Sequence, residues 1–495
     1  MIEFELKLEV SPANLKGVAI DVLAGKASRQ RLQASYFDTP DGALAACGIV
    51  VRLRKEGRRW VQTAKGPASS MLERLEHNIT LPAQRAGLVP ALDLSRHRST
   101  PVGKLIDKAL RLKPHQNYPT LELLYGTDVQ RITRRVACGK SIVEVALDQG
   151  RVFTTAKSQP ICELEFELKE GSPHDVVELA RQWYQAHGLW LSTIAKSMKG
   201  QRLRAGALCG PAALATQTSF SRRVSRNDLI TAVVTACLAQ ILPNMSELAS
   251  GSNDADHIHQ LRVGIRRLRT ALQELAEVSD AISPTWEPAL AQAFRLLGAH
   301  RDHSYLALVI QPQLLAAGGP DMHFDDTDHH VPDAGTTVRA AEFQGVLFGL
   351  LGFVHRAVTQ SGEANVNVEK TVSRRLAKLH SRALGDGKNF LLLDEEQQHS
   401  VRKRFKRLRY LTELTAPLFK ASKVKVMTAA LKPVQEALGL YNDELMGLQA
   451  LQAAAEKQPN AWFGIGWLTA RRERNAKRCL KSINAVAGVE PFWHH

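Results

Sequence analysis

Residues 2–10 read IEFELKLEV. Glu3, Glu5, Lys7 and Glu9 take every second position, and Ile2, Phe4, Leu6 and Leu8 lie between them. Period two marks a strand with two unlike faces. The pattern returns down the first third of the chain. VRLR at 51–54 puts Arg52 and Arg54 on one face. ERLE at 73–76 does so for Arg74 and Glu76, VEVALD at 143–148 for Glu144, Ala146 and Asp148, and CELEFEL at 162–168 for Glu163, Glu165 and Glu167. Further alternating segments at 33–37, 49–55, 60–65, 121–128 and 130–137 bring the strand count to that of an antiparallel barrel. Helical periodicity interrupts them near 14–23 and 102–112, and a third helical stretch follows near 173–188.

A charged strand face is ordinarily the solvated side of a sheet, with an apolar core behind it. Taken together, these strands carry another reading. Some faces hold acids, others arginines, and both kinds recur. Turned inward, they line one lumen with carboxylates and with guanidinium and ammonium groups. Carboxylates bind hard cations through oxygen; Arg and Lys grip phosphate oxygens. A lumen holding both suits metal-assisted phosphoryl transfer. It must be wet and hold a ligand, because unpaired buried charge costs too much.

The rest of the composition narrows the class. The chain has 495 residues, 44% hydrophobic and 23% charged, which is globular composition with room for two or three domains. The net charge is +16 and both halves are basic, so a polyanion is the expected partner. Aromatics are 6%, with no aromatic-plus-basic motif for stacking bases, so phosphate chains are expected and nucleic acid is not. The six cysteines are scattered without a C-x-x-C pair, as reduced thiols in a cytoplasm would be. The alternating N-terminus is unlike a secretory signal, and apolar runs such as 346–354 fall short of the roughly 20 residues of a membrane helix.

In order along the chain come E-x-E-x-K at 3–7, YFDT at 36–39, RLR at 52–54, TAKG around Lys65, RLE at 74–76 and TDVQR ending at Arg131. VEVALDQG, ELEFE and TIAKS around Lys196 follow. The series resembles the CYTH family, the triphosphate tunnel metalloenzymes, and is similar to that of bacterial inorganic triphosphatases with a second, helical domain. The resemblance implies an eight-stranded antiparallel tunnel over residues 1–204 that binds triphosphate and Mg²⁺ or Mn²⁺. By motif position Glu3, Glu5, Glu163, Glu165 and Asp148 would hold metal. Lys7, Arg52, Arg54, Lys65, Arg74, Arg131 and Lys196 would hold phosphates, with Glu5, Lys65 and Lys196 central to catalysis. Glu76 and Glu144 are further lumen candidates.

Residues 205–221, AGALCGPAALATQTSFS, carry no charge and read as a loose linker. Beyond it the periodicity turns to 3.6, so the chain as a whole is α+β, a barrel followed by an all-α domain over 222–488. HQLRVGIRRLR at 259–269 and HSVRKRFKRLR at 399–409 both place a histidine with bases at +3, +7 and +10 on one helix face. Leu261, Ile265 and Leu268 lie opposite in one, Val401, Phe405 and Leu408 in the other. LLGAHRD and ALGLYND follow at matching distance, so this half is an internal repeat. A lone basic helix is ordinarily solvated; the same face twice suggests a surface for a long polyanion. The pattern resembles the CHAD domain, which implies two repeat-related four-helix bundles that bind inorganic polyphosphate. The matching positions are His259, Arg262, Arg266, Arg269, Arg301, His399, Arg402, Lys406, Arg407 and Arg409. The insert at 321–333 reads as a mobile acidic loop.

The reading is hydrolysis of inorganic triphosphate to pyrophosphate and phosphate, in a cytoplasmic protein associated with polyphosphate granules. Two alternatives stand beside it: a non-catalytic polyphosphate-binding protein, and a tunnel acting on a nucleoside or thiamine triphosphate.

Overall fold

The computed structural model describes residues 2–68, 70–82, 88–113, 116–278, 282–322, 332–356 and 367–493; of 299–305 and 308 it describes only the backbone. The chain forms two compact units. One comprises Met1–Ala212, Met245–Ser252 and Arg339–Ala357; the other comprises Ala213–Asn244, Asn253–Val338 and Val358–His495.

The first unit contains β1 (Ile2–Glu9), α1 (Leu15–Leu23), β2 (Ala27–Asp38), α2 (Ala43–Ala46), β3 (Val50–Glu56), β4 (Arg59–Pro67), β5 (Glu73–Leu81) and α3 (Pro101–Ala109). There follow β6 (Glu122–Cys138), β7 (Ser141–Phe153), β8 (Ser158–Glu170), α4 (Pro173–His187), β9 (Trp190–Leu191) and α5 (Lys196–Ala205). The strands pair in the order β5-β4-β3-β2-β6-β7-β8-β1, and β5 pairs with β1 to close an antiparallel barrel; β9 adds two residues beside β1. Closure removes the exposed sheet edges.

The packing is inverted relative to a simple sheet. Leu6, Leu8, Val145, Leu147, Leu164 and Phe166 point outward, yet each is at most 1% exposed. Helices cover them. Trp183 of α4 meets the Phe166 ring edge-on at 6.1 Å. On the other flank α2 and α3 pack on β3 and β4 through Leu44, Val51, Ala64, Val102 and Ile106. The apolar core therefore lies between barrel wall and helices, which leaves the inner face free for charge. Helix α4 starts where Ser172 accepts from the His174 amide ahead of Pro173, and stops at Gly188 in the left-handed region at φ +60°.

The chain after the barrel is helical: α6 (Arg226–Ala249), α7 (Ala255–Glu274), α8 (Trp286–Tyr305), α9 (Gln311–Ala316), α10 (Ala334–Arg339), α11 (Ala341–Val354), α12 (Val368–Gly387), α13 (Glu395–Leu414), α14 (Ala421–Ala454) and α15 (Ala461–Ala487). Helix α11 belongs to the barrel unit, where Phe348 stacks on Tyr184 of α4 at 4.8 Å. In the helical unit, Leu261, Ile265 and Leu268 of α7 and Val401, Phe405 and Leu408 of α13 are fully buried, as the repeat requires. Asp254 caps α7, and Asp394 with Gln397 forms a capping box at the start of α13.

Two features depart from the reading of the sequence. Helix α6 is long and apolar enough by composition to cross a membrane, but 72% of its apolar window is buried inside the protein, as in a core helix. The segment read as a loose linker is held in place. Asn244 donates to the Ala213 carbonyl at 2.9 Å and accepts from its amide at 3.0 Å, Arg267 donates to the Thr216 carbonyl, and the Thr218 hydroxyl donates to the Leu414 carbonyl at 2.9 Å. Most of the segment is nevertheless exposed; these bonds hold it at Ala213, Thr216 and Thr218.

Candidate active site

Laterally paired residues of an antiparallel sheet point to the same side. The ladder pairs Glu3 with Arg74, Lys65 with Glu76, Thr63 with Arg52, Tyr36 with Arg52, Arg131 with Asp148, Asp148 with Glu163 and Lys7 with Glu165. One side of the barrel thus gathers these groups, and ion pairs across non-neighbouring strands show that it is the inside. Lys65 Nζ on β4 lies 2.5 Å from Glu3 Oε2 on β1 and 3.0 Å from Glu76 Oε2 on β5.

The deepest cluster is acidic. Asp148 and Glu163 are fully buried and, with Glu165, offer oxygens within 4.8 Å of one another, close enough for one cation. Lys196, the first residue of α5, occupies that position. Its ammonium lies 2.6 Å from Asp148, 2.5 Å from Glu163 and 2.6 Å from Glu165. Burial opposes its charge, yet the three carboxylates hold it well above the usual lysine range. Arg131 chelates Asp148 at 2.7 and 2.6 Å and also bonds Glu165. Burial works against the Glu165 anion, but Lys196 and Arg131 keep it far below the usual carboxylate range.

The donor set fits a hard divalent ion: oxygen only, three carboxylates, and room now filled by one ammonium. Glu163 Oε1 finds no hydrogen-bond geometry, although Lys196 approaches it. Glu5 is half-buried beside them, and its partial burial, then the Glu165 charge, pushes it up to about 7. Burial and a hydrogen bond to Glu76 push Glu3 up to about 9.

The adjoining wall is cationic. Arg52, Arg54 and Arg131 crowd together; burial, then Arg52, lowers the Arg54 guanidinium. The Nε of Arg52 is buried without an acceptor, the state of a donor awaiting an anion. Burial pushes the Tyr36 phenol up, and Arg52 beside it brings it below the ordinary tyrosine value. Lys7 donates to the Ile194 carbonyl and lies 3.4 Å from Glu163. Arg74 sits at the β1–β5 seam, half-buried. Glu144 stands on the rim with Lys169 and Glu167.

Helix α5 packs against β6, β7 and β8. Leu203 packs on a cluster of Ala34, Tyr36, Tyr125, Val129, Val152 and Ile161, all inward-facing. Lys199 reaches Glu9 at 2.9 Å and Glu163 at 3.1 Å. Lys199, Glu9 and Tyr36 are the lumen groups that the reading of the sequence left without a role. Lys199 was findable, since it lies one helical turn after Lys196.

In the helical unit the repeated basic face is largely engaged by the fold. Arg262 is 8% exposed, donates to the Phe294 carbonyl at 3.1 Å and lies over the Phe294 ring at 4.4 Å. Arg266 also lies over that ring, at 5.1 Å, and Arg269 binds Glu287 at 2.7 Å. On α13, His399 bonds Asn442 at 2.9 Å, Arg402 lies 3.8 Å from Asp443, and Arg409 bonds Glu413 and Gln435. Arg407 lies 3.9 Å from Glu274, and His259 and Lys406 are half-buried. The Arg301 side chain and most of the 321–333 insert lie outside the described residues.

Known proteins share parts of this sequence and fold. The family model of the CYTH domain matches residues 1–199, and that of the CHAD domain matches residues 232–452. A protein of Haemophilus influenzae named "Inorganic triphosphatase" is 28% identical over 211 residues; the match spans 41% of this chain and 54% of that protein, so it covers only about half of the relative's length. An uncharacterised protein of Mycobacterium tuberculosis is 25% identical over 98% of this chain and 95% of its own length. The solved CHAD domain of the plant Ricinus communis is 21% identical, with a TM-score of 0.46 over 56% of this chain and 96% of that structure. The chain is a CYTH domain followed by a CHAD domain.

Proposed function

We propose that the barrel hydrolyses inorganic triphosphate with Mg²⁺ or Mn²⁺, and that the helical unit binds inorganic polyphosphate. The observation that carries the first part is the Asp148–Glu163–Glu165 cluster within one lumen shared with Arg52, Arg54, Arg131 and Lys65. The name of the Haemophilus relative supports it.

Asp148, Glu163 and Glu165 would hold the metal, with Glu5 beside them; the ion supplies charge neutralisation and polarises a phosphoryl oxygen or a water. Arg52, Arg54 and Arg131 grip the phosphates and take up charge as the terminal group transfers. Lys65 is held between Glu3 and Glu76, which aims its ammonium into the lumen. Water adds to the terminal phosphorus as the P–O–P bridge breaks, yielding orthophosphate and pyrophosphate and releasing a proton. With a cation held by Asp148, Glu163 and Glu165, Lys196 would be free to donate to a phosphate oxygen.

The test is phosphate release from tripolyphosphate, ATP and long-chain polyphosphate, each with Mg²⁺ or Mn²⁺. Release from tripolyphosphate in preference to ATP is expected; none from tripolyphosphate with either metal refutes the reading.

A further inference from the structure

Arg54 enters the lumen already paired. Arg52, Arg54 and Glu56 take every second position of β3, so they share its inward face. Glu56 closes the strand, and Gly57 turns the chain after it at φ +62°. Arg54 Nε donates to Glu56 Oε1 at 2.6 Å, and Arg54 Nη2 meets the same oxygen. The two side chains are 19% and 21% exposed, so water and a ligand can reach the pair.

This pair differs from those deeper in the lumen. Lys65 lies between Glu3 and Glu76, and Arg131 between Asp148 and Glu165, so each keeps one acid when the other turns away. Arg54 takes a single acid, from its own strand, and pairs with no second one among the described residues. Arg52 and Arg131 add like charge around it. A phosphate oxygen bound by the Arg54 guanidinium must therefore take the place of the Glu56 carboxylate or stay beside it against its repulsion. Either way the lumen holds phosphate less tightly than Arg54 by itself would make it do.

We propose that Glu56 is a positioning residue that acts through Arg54: it holds the guanidinium on the inward face and competes with phosphate for it, so that pyrophosphate is let go once the P–O–P bridge has broken. The proposal rests on the reading of the barrel as a triphosphate hydrolase and adds what governs departure of the product. Substrate and pyrophosphate both present phosphate oxygens to Arg54, so the competition weakens them alike. A loss that falls equally on bound substrate and transition state raises KM and leaves the chemical step as it was. The gain comes at release, the step that a product gripped by Arg52, Arg54, Arg131 and Lys65 together would slow. As the phosphate moves off, the carboxylate two residues away returns, so the guanidinium exchanges one partner for another and is never left buried without an acceptor.

The experiment compares the full chain, with Mg²⁺ or Mn²⁺, with Glu56→Gln, which keeps the shape and removes the charge, and with Glu56→Asp, which keeps the charge. Steady-state kinetics with tripolyphosphate give KM and the inhibition constant of pyrophosphate, and melting curves confirm folding. In Glu56→Gln both constants are expected to fall together by about three- to tenfold, the scale of one partly exposed ion pair, while Glu56→Asp stays closer to wild type. In an Arg54→Met background Glu56→Gln is expected to move neither. A distorted barrel would bind more weakly, so tighter binding separates this role from a structural one. Constants that fail to fall together in Glu56→Gln, or that still fall in the Arg54→Met background, overturn the role of Glu56 alone. A wild type that releases no phosphate from tripolyphosphate overturns the reading of the barrel and the role of Glu56 with it.

Discussion

Gly200 of α5 lies so close to the ring of Tyr125 on β6 that a Cβ at position 200 would fall 2.1 Å from it. Tyr125 is itself stacked on Tyr36 at 4.8 Å, so the ring has nowhere to retreat. The helix that carries Lys196 and Lys199 into the lumen is seated by this contact. Gly200→Ala is expected to cost about 1–3 kcal/mol by overpacking and to lower phosphate release by displacing Lys196. Thermal melts and the tripolyphosphate assay check it; a variant as stable and active as wild type would show that the helix is not seated there.

Lys196 balances three carboxylates, of which Asp148 and Glu163 are buried and Glu165 half-buried. Lys196→Ala leaves them facing one another, and in EDTA the variant is expected to lose about 3–5 kcal/mol, the cost of stripping a partner from a buried ionic cluster. Mg²⁺ or Mn²⁺ should restore much of this, so metal raises the melting temperature more for the variant than for wild type. Equal metal-induced shifts would refute the idea that one cation replaces the other.

Lys65 connects Glu3 and Glu76 across the closing seam. Lys65→Ala and Glu5→Gln are each expected to reduce turnover of tripolyphosphate by about a hundredfold or more. Polyphosphate binding, measured on the same preparations, should stay at the wild-type level. Loss of both together would point to global unfolding.

His97 sits on the outside of the barrel, fully buried, with its Nε2 2.9 Å from Gln62 and its Nδ1 2.9 Å from His77 Nδ1. Burial, then His77, lowers it to about 4. The folded protein therefore binds fewer protons here than the unfolded chain between pH 6.5 and 4, so stability falls as the pH drops through that window. The contribution is at most about 3 kcal/mol. His97→Gln should flatten the fall in melting temperature between pH 7 and 4; an unchanged profile would exclude His97 as its source.

Arg262 packs under Phe294, and its guanidinium lies 2.3 Å from where a Cβ on Gly298 would stand. Its removal is expected to destabilise the helical unit by about 1–3 kcal/mol, since a part-buried carbonyl loses a donor and an aromatic ring loses its cation. A melting curve separates this from a surface role, for which stability would not change.

The inward charges could be read from the sequence because strand geometry converts spacing into direction. Glu3, Glu5 and Lys7 cannot be on one face unless Phe4, Leu6 and Leu8 are on the other, and helices were available to cover those. The repeat was equally legible, because Leu261 and Val401 recur with their bases. What spacing could not convey was partnership. Nothing in HQLRVGIRRLR tells that Arg262 would find the Phe294 carbonyl or Arg269 would find Glu287, since those acceptors arrive from another helix. Lys196 and Glu163 are likewise brought together by closure of the barrel and the return of α5. The bonds that hold residues 213 and 218 were out of reach for the same reason, their acceptors being Asn244 and Leu414 far along the chain.

Helix α5 lays Leu203 and Lys199 against the inner wall, so it narrows the lumen on its own side. A triphosphate drawn to Asp148, Glu163 and Glu165 would have to share that space with groups the helix itself supplies. A change in the seat of α5 would then alter how far a ligand reaches and how readily what is left of it departs.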